Sequence, residues 1–193
     1  MRTPVYGRHG RIGLVVPANN SVIEPELWSA LPEGVAVYAT RVMAKGDLTP
    51  EAVRRMEGDV DHAVDAIAAT GVDVIAYCDM VTTFIMEPGW NEAAVARFGQ
   101  RTGKPVVSAW TALRDAMAAL GVHRIALGTP YPRAIHALAA PFFRSRGIEV
   151  AREGTLDILA MREVPTIDTA RLMAFVDTLE TTGCDALVLL ATD

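Results

Sequence analysis

Short apolar segments alternate with longer segments of helical period along the chain, and this alternation restricts the folds that it can adopt. The predicted strands, rich in apolar residues as buried parallel strands are, cover residues 11–16 (RIGLVV), 35–40, 73–78 (DVIAYC) and 105–108. The predicted helices cover residues 21–30, 50–69, 91–101 and 111–120. Thr49 suits the N-cap of the second of these helices, and a threonine-rich loop is expected after residue 78. Connections this short predict right-handed crossovers and an α/β fold with parallel sheets flanked by helices.

The second half of the chain repeats the glycine and proline positions of the first. HRIALGTPY at 123–131 is similar to GRIGLVVPA at 10–18, and TTGCDALVLL at 181–190 is similar to ATGVDVIAYC at 69–78. Such repetition favours internal duplication over the ordinary alternation of any α/β protein. We therefore predict two pseudo-symmetric lobes, residues 1–110 and 111–193, with an active site in the cleft between them. The second lobe is expected to be incomplete at its C-terminus, because the chain stops just after an apolar strand.

Composition restricts the partners and the compartment. Apolar residues make up 51% of the 193 residues, which is enough for a substantial core. The net charge is −5 and the basic residues are scattered, which argues against nucleic acid or an anionic membrane as partner. The first apolar run stops at Pro17, so neither a signal peptide nor a membrane-spanning helix is predicted. The sequence has only two cysteines, Cys78 and Cys184, so a disulfide framework is not expected. We therefore predict a cytoplasmic location.

Common metal and cofactor motifs are missing from the sequence. The four histidines show no metal-ligand spacing, and no CxxC, HExxH, Walker, GxGxxG or GxSxG pattern occurs. We therefore predict no metal and no cofactor, with chemistry carried out by side chains alone.

Polar residues follow the predicted strands, where ligands of parallel α/β proteins bind. They are Pro17, Asn19, Asn20, Ser21, Cys78, Asp79, Thr82, Thr83, Thr129, Pro130, Tyr131, Thr192 and Asp193. Amides and hydroxyls of this kind suit the binding of carboxylate oxygens without a metal. Purely structural roles remain open: Asn20 could cap a helix, the threonines could be ordinary loop hydroxyls, and Tyr131 and Cys78 could be packing residues.

Several motifs resemble one known group of enzymes. RIGLVVPANN, GVDVIAYC, TALRDAMAALGVHRIALGTPY and DALVLLAT occur in order along nearly the whole chain. They resemble the maleate isomerase and arylmalonate decarboxylase branch of the aspartate/glutamate racemase superfamily, with ALGVHRIALGTPY the most specific segment. The resemblance implies two lobes with the active site between them, no metal or organic cofactor, and a catalytic cysteine at a strand end in one or both lobes. It also implies a homo-oligomer.

The resemblance implies roles for particular residues. Asn20 matches an asparagine that binds a substrate carboxylate, and Tyr131 matches a tyrosine that donates a hydrogen bond to substrate. In the first lobe the motif places Asp79 at the catalytic cysteine position, whereas a shift of one residue would place Cys78 there. In the second lobe Thr192 stands where the family has its cysteine.

An aspartate in place of the thiol would change the chemistry. A carboxylate is a poor nucleophile towards a double bond, but burial could raise the pKa of Asp79 and make it a general acid or base. An ionised Asp79 would also repel a dianion, which favours a substrate less anionic than maleate or a different proton transfer.

The leading hypothesis is a cofactor-independent isomerase of a small carboxylic acid, similar to maleate cis-trans isomerase. Asp79 or Cys78, with Thr192, would stand where protons move. The oxygens would be held beside Pro17 by Asn20, Thr82, Thr83 and Tyr131. The alternatives are a decarboxylase-like or racemase-like enzyme that uses Asp79, a non-catalytic homologue that binds small acids, and a hydrolase with Asp79 as base.

Overall fold

A computed structural model describes residues 5–191, which form two parallel β-sheets flanked by helices. In the first sheet the order is β2-β1-β3-β4, with β1 (Gly10–Pro17), β2 (Val35–Val42), β3 (Val74–Tyr77) and β4 (Val106–Ser108). In the second sheet the order is β6-β5-β7, with β5 (Arg124–Thr129), β6 (Glu149–Thr155) and β7 (Ala186–Leu189). All of these strand pairs are parallel. The predicted α/β class with two lobes of parallel sheet is confirmed.

Eight α-helices and one 3-10 helix lie within residues 5–191. They are α1 (Ile23–Ala30), α2 (Pro50–Glu57), α3 (Val60–Ala69), α4 (Thr82–Ile85), α5 (Trp90–Thr102), α6 (Ala109–Leu120), α7 (Arg133–Ser145), the 3-10 helix Met161–Thr166 and α8 (Thr169–Thr178). No helix in this part of the chain is long and apolar enough to cross a membrane.

The two sheets share the same local plan. In each sheet the first strand lies between the next two strands of the chain. An aspartate just before the third strand, β3 or β7, accepts a hydrogen bond from the backbone at the start of the first, β1 or β5. Asp73 accepts a hydrogen bond from the backbone N–H of Arg11 at 2.8 Å, and Asp185 accepts one from the backbone N–H of Arg124 at 2.8 Å. The lobes are therefore pseudo-symmetric in their hydrogen bonding as well as in their strand order.

A hydrophobic core continues from one lobe into the other. Phe84 of α4 and Trp110 of α6 pack against Phe143 of α7, with ring centroids 6.3 and 5.9 Å apart. The same cluster includes Ile125 and Leu127 of β5, all of them buried. This shared packing holds the carboxyl ends of β1 and β3 towards that of β5.

The predicted helix at 50–69 is two helices, and that prediction was wrong. Gly58 and Asp59, both poor helix formers, lie between α2 and α3. Thr49 caps α2 as predicted, accepting a hydrogen bond from the N–H of Ala52 at 3.2 Å. The break lets α2 face the space between the lobes while α3 packs on the first sheet.

Side-chain capping accounts for two further differences. The segment predicted as a loop after residue 78 contains α4, because Asp79 accepts a hydrogen bond from the N–H of Thr82 at 2.8 Å. The helix predicted from residue 111 begins at Ala109, because Ser108 and Thr111 form a capping box at its start.

Candidate active site between the lobes

A cavity of about 410 Å³ lies where the strand ends of both sheets meet, and we call it the interlobe cavity. Pro17 and Asp79 reach it from the first lobe, and Pro130 and Tyr131 from the second. Most of the remaining wall is apolar, including Leu14, Ile23, Leu27, Leu48, Met56 and Ile158. Among the described residues, no lysine or arginine lines this cavity. An apolar cavity with a few convergent polar groups is typical of a site for a small molecule.

The structure brings together five of the eight residues predicted for the site. Pro17, Asn20, Cys78, Asp79 and Tyr131 line the interlobe cavity. Thr82 and Thr83 are buried and are not part of its wall. Thr192 lies outside the described residues, and so does Asp193 of the wider list.

Asn20 both lines the cavity and caps a helix. Its Oδ1 accepts hydrogen bonds from the backbone N–H groups of Val22 and Ile23, each at 3.1 Å, at the start of α1. Only 4% of Asn20 is exposed, and Arg41 donates to its backbone carbonyl at 2.6 Å. The residue is therefore held rigidly at the cavity wall by its own side chain and by its backbone.

Asn19 also lines the cavity and leaves one polar atom unmatched. Its Nδ2 donates to the carbonyl of Met161 at 3.5 Å. Its Oδ1 is buried and has no hydrogen-bond partner within residues 5–191. A molecule bound in the cavity could supply the missing partner.

Asp79 stands directly after β3 and is only 7% exposed. Its Oδ1 accepts two hydrogen bonds from Thr82, one from the backbone N–H at 2.8 Å and one from the hydroxyl. Burial raises the pKa of this carboxyl, while the hydrogen bonds from Thr82 and from the Val81 amide oppose the shift. A carboxyl whose pKa is raised holds its proton more tightly than an exposed aspartate, which suits proton exchange with a bound molecule.

Cys78 contributes a thiol that does not ionise readily. Its Sγ lies 3.4 Å from the carbonyl of Ala76, to which it donates. Burial, and to a lesser extent the charge of Asp79, raises the pKa of Cys78 to about 12. Since the thiolate is the reactive form, this thiol is a poor nucleophile near neutral pH.

Thr82 and Thr83 support the site from behind. The Thr82 hydroxyl bonds to Asp79, whereas Thr83 Oγ1 accepts a hydrogen bond from Asn91 Nδ2 at 3.0 Å. Asn91 Oδ1 in turn accepts one from Ser108 Oγ at 2.5 Å. The Thr83 hydroxyl thus joins α4 to α5 and β4.

The sequence patterns did not point to two residues near Asp79, Tyr77, which is buried, and Glu57, which is partly exposed. The hydroxyl of Tyr77 bonds to Glu57 Oε1 and lies 3.1 Å from Thr82 Oγ1. Burial raises the pKa of Glu57 from 4.5 to about 7; the Tyr77 hydrogen bond lowers it and the charge of Asp79 raises it. A signal was present in the sequence: Glu57 stands one helical turn after Val53, on the buried side of α2.

Tyr131 closes the cavity from the second lobe. It is 6% exposed, and its ring packs edge-on against Phe84 with centroids 6.4 Å apart. Its backbone carbonyl accepts a hydrogen bond from the Thr155 hydroxyl. The TPY turn is therefore fixed on both sides.

Within residues 5–191, no group of three or more His, Cys, Asp or Glu side chains could hold a metal ion.

Known proteins are similar to this chain in sequence and in fold. A model of the arylmalonate decarboxylase family matches residues 12–191. The maleate isomerase of Geobacillus stearothermophilus is 30% identical, covering 95% of this chain and 78% of the relative. The arylmalonate decarboxylase of Bordetella bronchiseptica is 26% identical, covering 84% of this chain and 67% of the relative.

Solved structures agree with the sequence comparison. The maleate isomerase of Pseudomonas putida S16, crystallised with maleate as a cysteine variant, has a TM-score of 0.89 and 29% identity over 95% of this chain and 78% of that one. A variant of the Nocardia farcinica maleate cis-trans isomerase with a covalently bound succinylcysteine intermediate has a TM-score of 0.88 and 27% identity over 95% of this chain and 78% of that one. The resemblance predicted from the motifs is confirmed. The chain belongs to the arylmalonate decarboxylase family and is a relative of the maleate isomerases.

Proposed function

We propose that this chain is a cofactor-independent isomerase of a small carboxylic acid, similar to maleate isomerase, in which Asp79 is the acid–base group. The observation that carries the proposal is a buried carboxyl with a raised pKa, placed after β3 at the meeting point of the two sheets. The substrate class is supported by a family member solved with maleate.

In the proposed reaction, a proton leaves and returns through Asp79. The ionised carboxylate takes a proton from an sp3 carbon next to the substrate carboxylate, the C–H electron pair becomes the C=C bond of an enediolate, and the carbonyl π pair moves onto the carboxylate oxygens. Maleate has only vinylic hydrogens and does not react by this step. Protonated Asp79 then returns the proton at a different carbon or on a different face. Asn20 and Tyr131 would hold the oxygens, since an amide nitrogen and a phenol both donate hydrogen bonds.

The charge around the cavity supports a substrate less anionic than maleate. No cationic side chain lines the cavity among the described residues, and an ionised Asp79 would repel a second carboxylate. A monoanion with an apolar substituent would instead bury that substituent against residues such as Leu14 and Leu27.

Decarboxylation is the second candidate, and the apolar wall favours it. After loss of CO2 from a malonate that carries an aryl group, Asp79 would protonate the carbon left behind. The family model and the relative from Bordetella bronchiseptica, both arylmalonate decarboxylases, support this reading.

A single NMR experiment tests both reactions. The protein is incubated in D2O with maleate, with phenylmalonate or with one enantiomer of 2-phenylpropionate, and the products and deuterium uptake are followed. We expect turnover of at least one acid and a loss of at least about 100-fold with Asp79→Asn, because general acid–base groups contribute at least this much. The amide oxygen can still accept the hydrogen bond from the N–H of Thr82, and Asp115→Asn, at an exposed position of α6, is the matched control.

Two outcomes would overturn the proposal. Binding of these acids without any product would indicate a non-catalytic homologue. Full turnover by Asp79→Asn would remove Asp79 from the chemistry.

The proposal extends to assembly and compartment. We place the boundary between the lobes near residue 110, at the start of α6, and we propose a cytoplasmic homo-oligomer. The two free cysteines within the described residues support a reducing compartment. Light scattering after size exclusion tests the oligomeric state.

A further inference from the structure

Four side chains form a continuous hydrogen-bonded chain from Asp79 at the interlobe cavity to Glu57, which is not part of the cavity wall. Tyr77, within this chain, also lines the cavity. Asp79 Oδ1 bonds to the hydroxyl of Thr82, which lies 3.1 Å from the hydroxyl of Tyr77, which bonds to Glu57 Oε1. Thr82 is 0% and Tyr77 2% exposed. The chain thus has a carboxyl at each end and two buried hydroxyls between them.

The number of hydrogens available to these bonds is limited. Three bonds join the four groups, and each bond needs one hydrogen. Thr82 and Tyr77 supply one each, so the third must come from Glu57 or from Asp79. If both carboxyls were ionised, the Tyr77 and Thr82 oxygens would face each other with no hydrogen between them. The complete chain therefore holds one proton on one of the two carboxyls.

The surroundings favour this shared proton over two charges. Burial raises the pKa of both carboxyls, and each carboxylate would repel the other. Glu57 Oε2 is buried with no hydrogen-bond partner among the described residues, and a neutral acid tolerates that better than an anion does.

Among the described residues, Arg97 is the cation that acts on these four side chains, and Cys78 is a neighbouring group that could titrate. Arg97 lowers the pKa of Glu57, but its guanidinium is also paired with Asp61 at 3.1 Å on the surface. Cys78, next to Asp79, stays a neutral thiol because burial raises its pKa to about 12. Which carboxyl holds the proton therefore depends mainly on the relative pKa values of Glu57 and Asp79.

We propose that Glu57, Tyr77, Thr82 and Asp79 form a proton relay in which Glu57 stores the proton that Asp79 uses in the cavity. The inference rests on the proposed function of Asp79. In one state Glu57 donates to Tyr77, Tyr77 to Thr82, and Thr82 to ionised Asp79. Three O–H bonds break and three form as the protons shift, leaving Glu57 ionised and Asp79 protonated. The net effect moves one negative charge from Asp79 to Glu57.

The relay would make Glu57 a second proton-transfer group, connected to the cavity through Asp79. The resemblance implies up to two catalytic cysteines, one in each lobe, but this sequence has Asp79 and Thr192 at those positions. A threonine hydroxyl does not ionise near neutral pH. Glu57 and Asp79, both on the first lobe and joined by hydrogen bonds, would together supply the two proton-transfer groups that two thiols on opposite sides of a cleft would supply.

Infrared titration of the free protein tests the relay without turnover. Between about pH 5 and pH 9, we expect the carbonyl band of one buried carboxylic acid that is lost near the raised pKa of Glu57. Glu57→Gln should remove this titration, because the amide donates to Tyr77 and completes the chain without a carboxyl proton. Tyr77→Phe should shift the band. Glu51→Gln, an exposed change on the same helix, should leave it as in the wild type.

The outcomes of the titration are decisive. Absence of a protonated carboxyl near neutral pH in the wild type, or an unchanged titration in Glu57→Gln, would overturn the relay.

Turnover separates a relay from a merely structural role. With whichever of maleate, phenylmalonate and 2-phenylpropionate is converted, Glu57→Gln and Tyr77→Phe should lower kcat about tenfold or more, leave KM unchanged and remove the pH dependence of kcat near neutrality. Thr82→Ser should keep kcat and Thr82→Val should lose it. Equal kcat and an equal pH profile in Glu57→Gln would contradict proton delivery. If the wild type converts none of the three acids, the proposed function fails while the infrared titration still decides the relay.

Discussion

Cys78, which is half-buried, and Asp79, which is buried, are neighbours in sequence, yet burial has opposite consequences for their chemistry. Burial raises the pKa of both side chains. The carboxyl starts from 3.8 and moves towards neutrality, whereas the thiol starts from 9.0 and moves to about 12. At this buried strand end a carboxyl can therefore exchange protons under conditions in which a thiol cannot.

This contrast predicts that Cys78 is dispensable for activity. At about pH 8, only on the order of one thiol in ten thousand with such a pKa is ionised. We expect Cys78→Ala to keep turnover of the converted acid within about twofold of wild type, as measured by NMR. Cys184→Ala, which lies outside the cavity wall, serves as control. Loss of turnover in Cys78→Ala alone would restore Cys78 as the nucleophile.

The raised pKa of Glu57 predicts a pH dependence of stability. The unfolded chain releases this proton near pH 4.5 and the folded protein near pH 7, so the folded state binds it more tightly between these values. The stability present below pH 4.5 is lost as the pH rises to about 7, by up to about 3 kcal/mol. Urea unfolding of wild type and Glu57→Gln across this range measures the difference, and a constant difference would contradict the raised pKa.

The sequence predicted residues at strand ends better than the residues behind them. Pro17, Asn20, Asp79 and Tyr131 could be predicted because ligands of parallel sheets bind at these ends. Glu57 could not be placed, because its contact with Tyr77 depends on where the break after α2 directs that helix. Contacts between distant segments of the chain leave little trace in local patterns.

At the scale of elements, the two halves repeat backbone geometry as well as sequence. Gly71 and Gly183 both have φ of +76°, a conformation that favours glycine, and each stands two residues before the aspartate that directly precedes β3 or β7. The strands were therefore predictable from apolar runs and glycine positions. The short α4 was not, because four residues carry no helical period and the helix depends on the cap by Asp79.

The cap of α6 predicts a larger loss of stability than an exposed cap. Ser108 Oγ accepts from the N–H of Thr111 at 3.0 Å and donates to Asn91 Oδ1 at 2.5 Å, with all three residues buried. Ser108→Ala leaves both partners without their bond and should cost about 2 kcal/mol. Asp168→Ala removes an exposed cap of α8 and should cost about 1 kcal/mol or less. Equal losses in urea unfolding would contradict this account.

At the scale of the whole molecule, one core joins the lobes behind the cavity. Phe84, Trp110 and Tyr131 belong to the same buried cluster as Val150 and Val188 of the second sheet. A substrate that touches Asp79 and Tyr131 therefore contacts two lobes that are already packed together. The position of Asp79 relative to the second lobe depends on this packing as much as on its hydrogen bonds to Thr82.

The shared core predicts that the lobes unfold together. Phe143 is 0% exposed and lies 5.9 Å from Trp110 and 6.3 Å from Phe84, measured between ring centroids. Phe143→Ala should cost about 3–5 kcal/mol, and tryptophan fluorescence and far-ultraviolet circular dichroism should shift by the same amount in urea. Leu120→Ala, at a side chain 78% exposed, should change stability by less than about 0.5 kcal/mol. Two separate transitions in Phe143→Ala would mean that the first lobe folds without the second, and the geometry of the site would then not depend on the shared core.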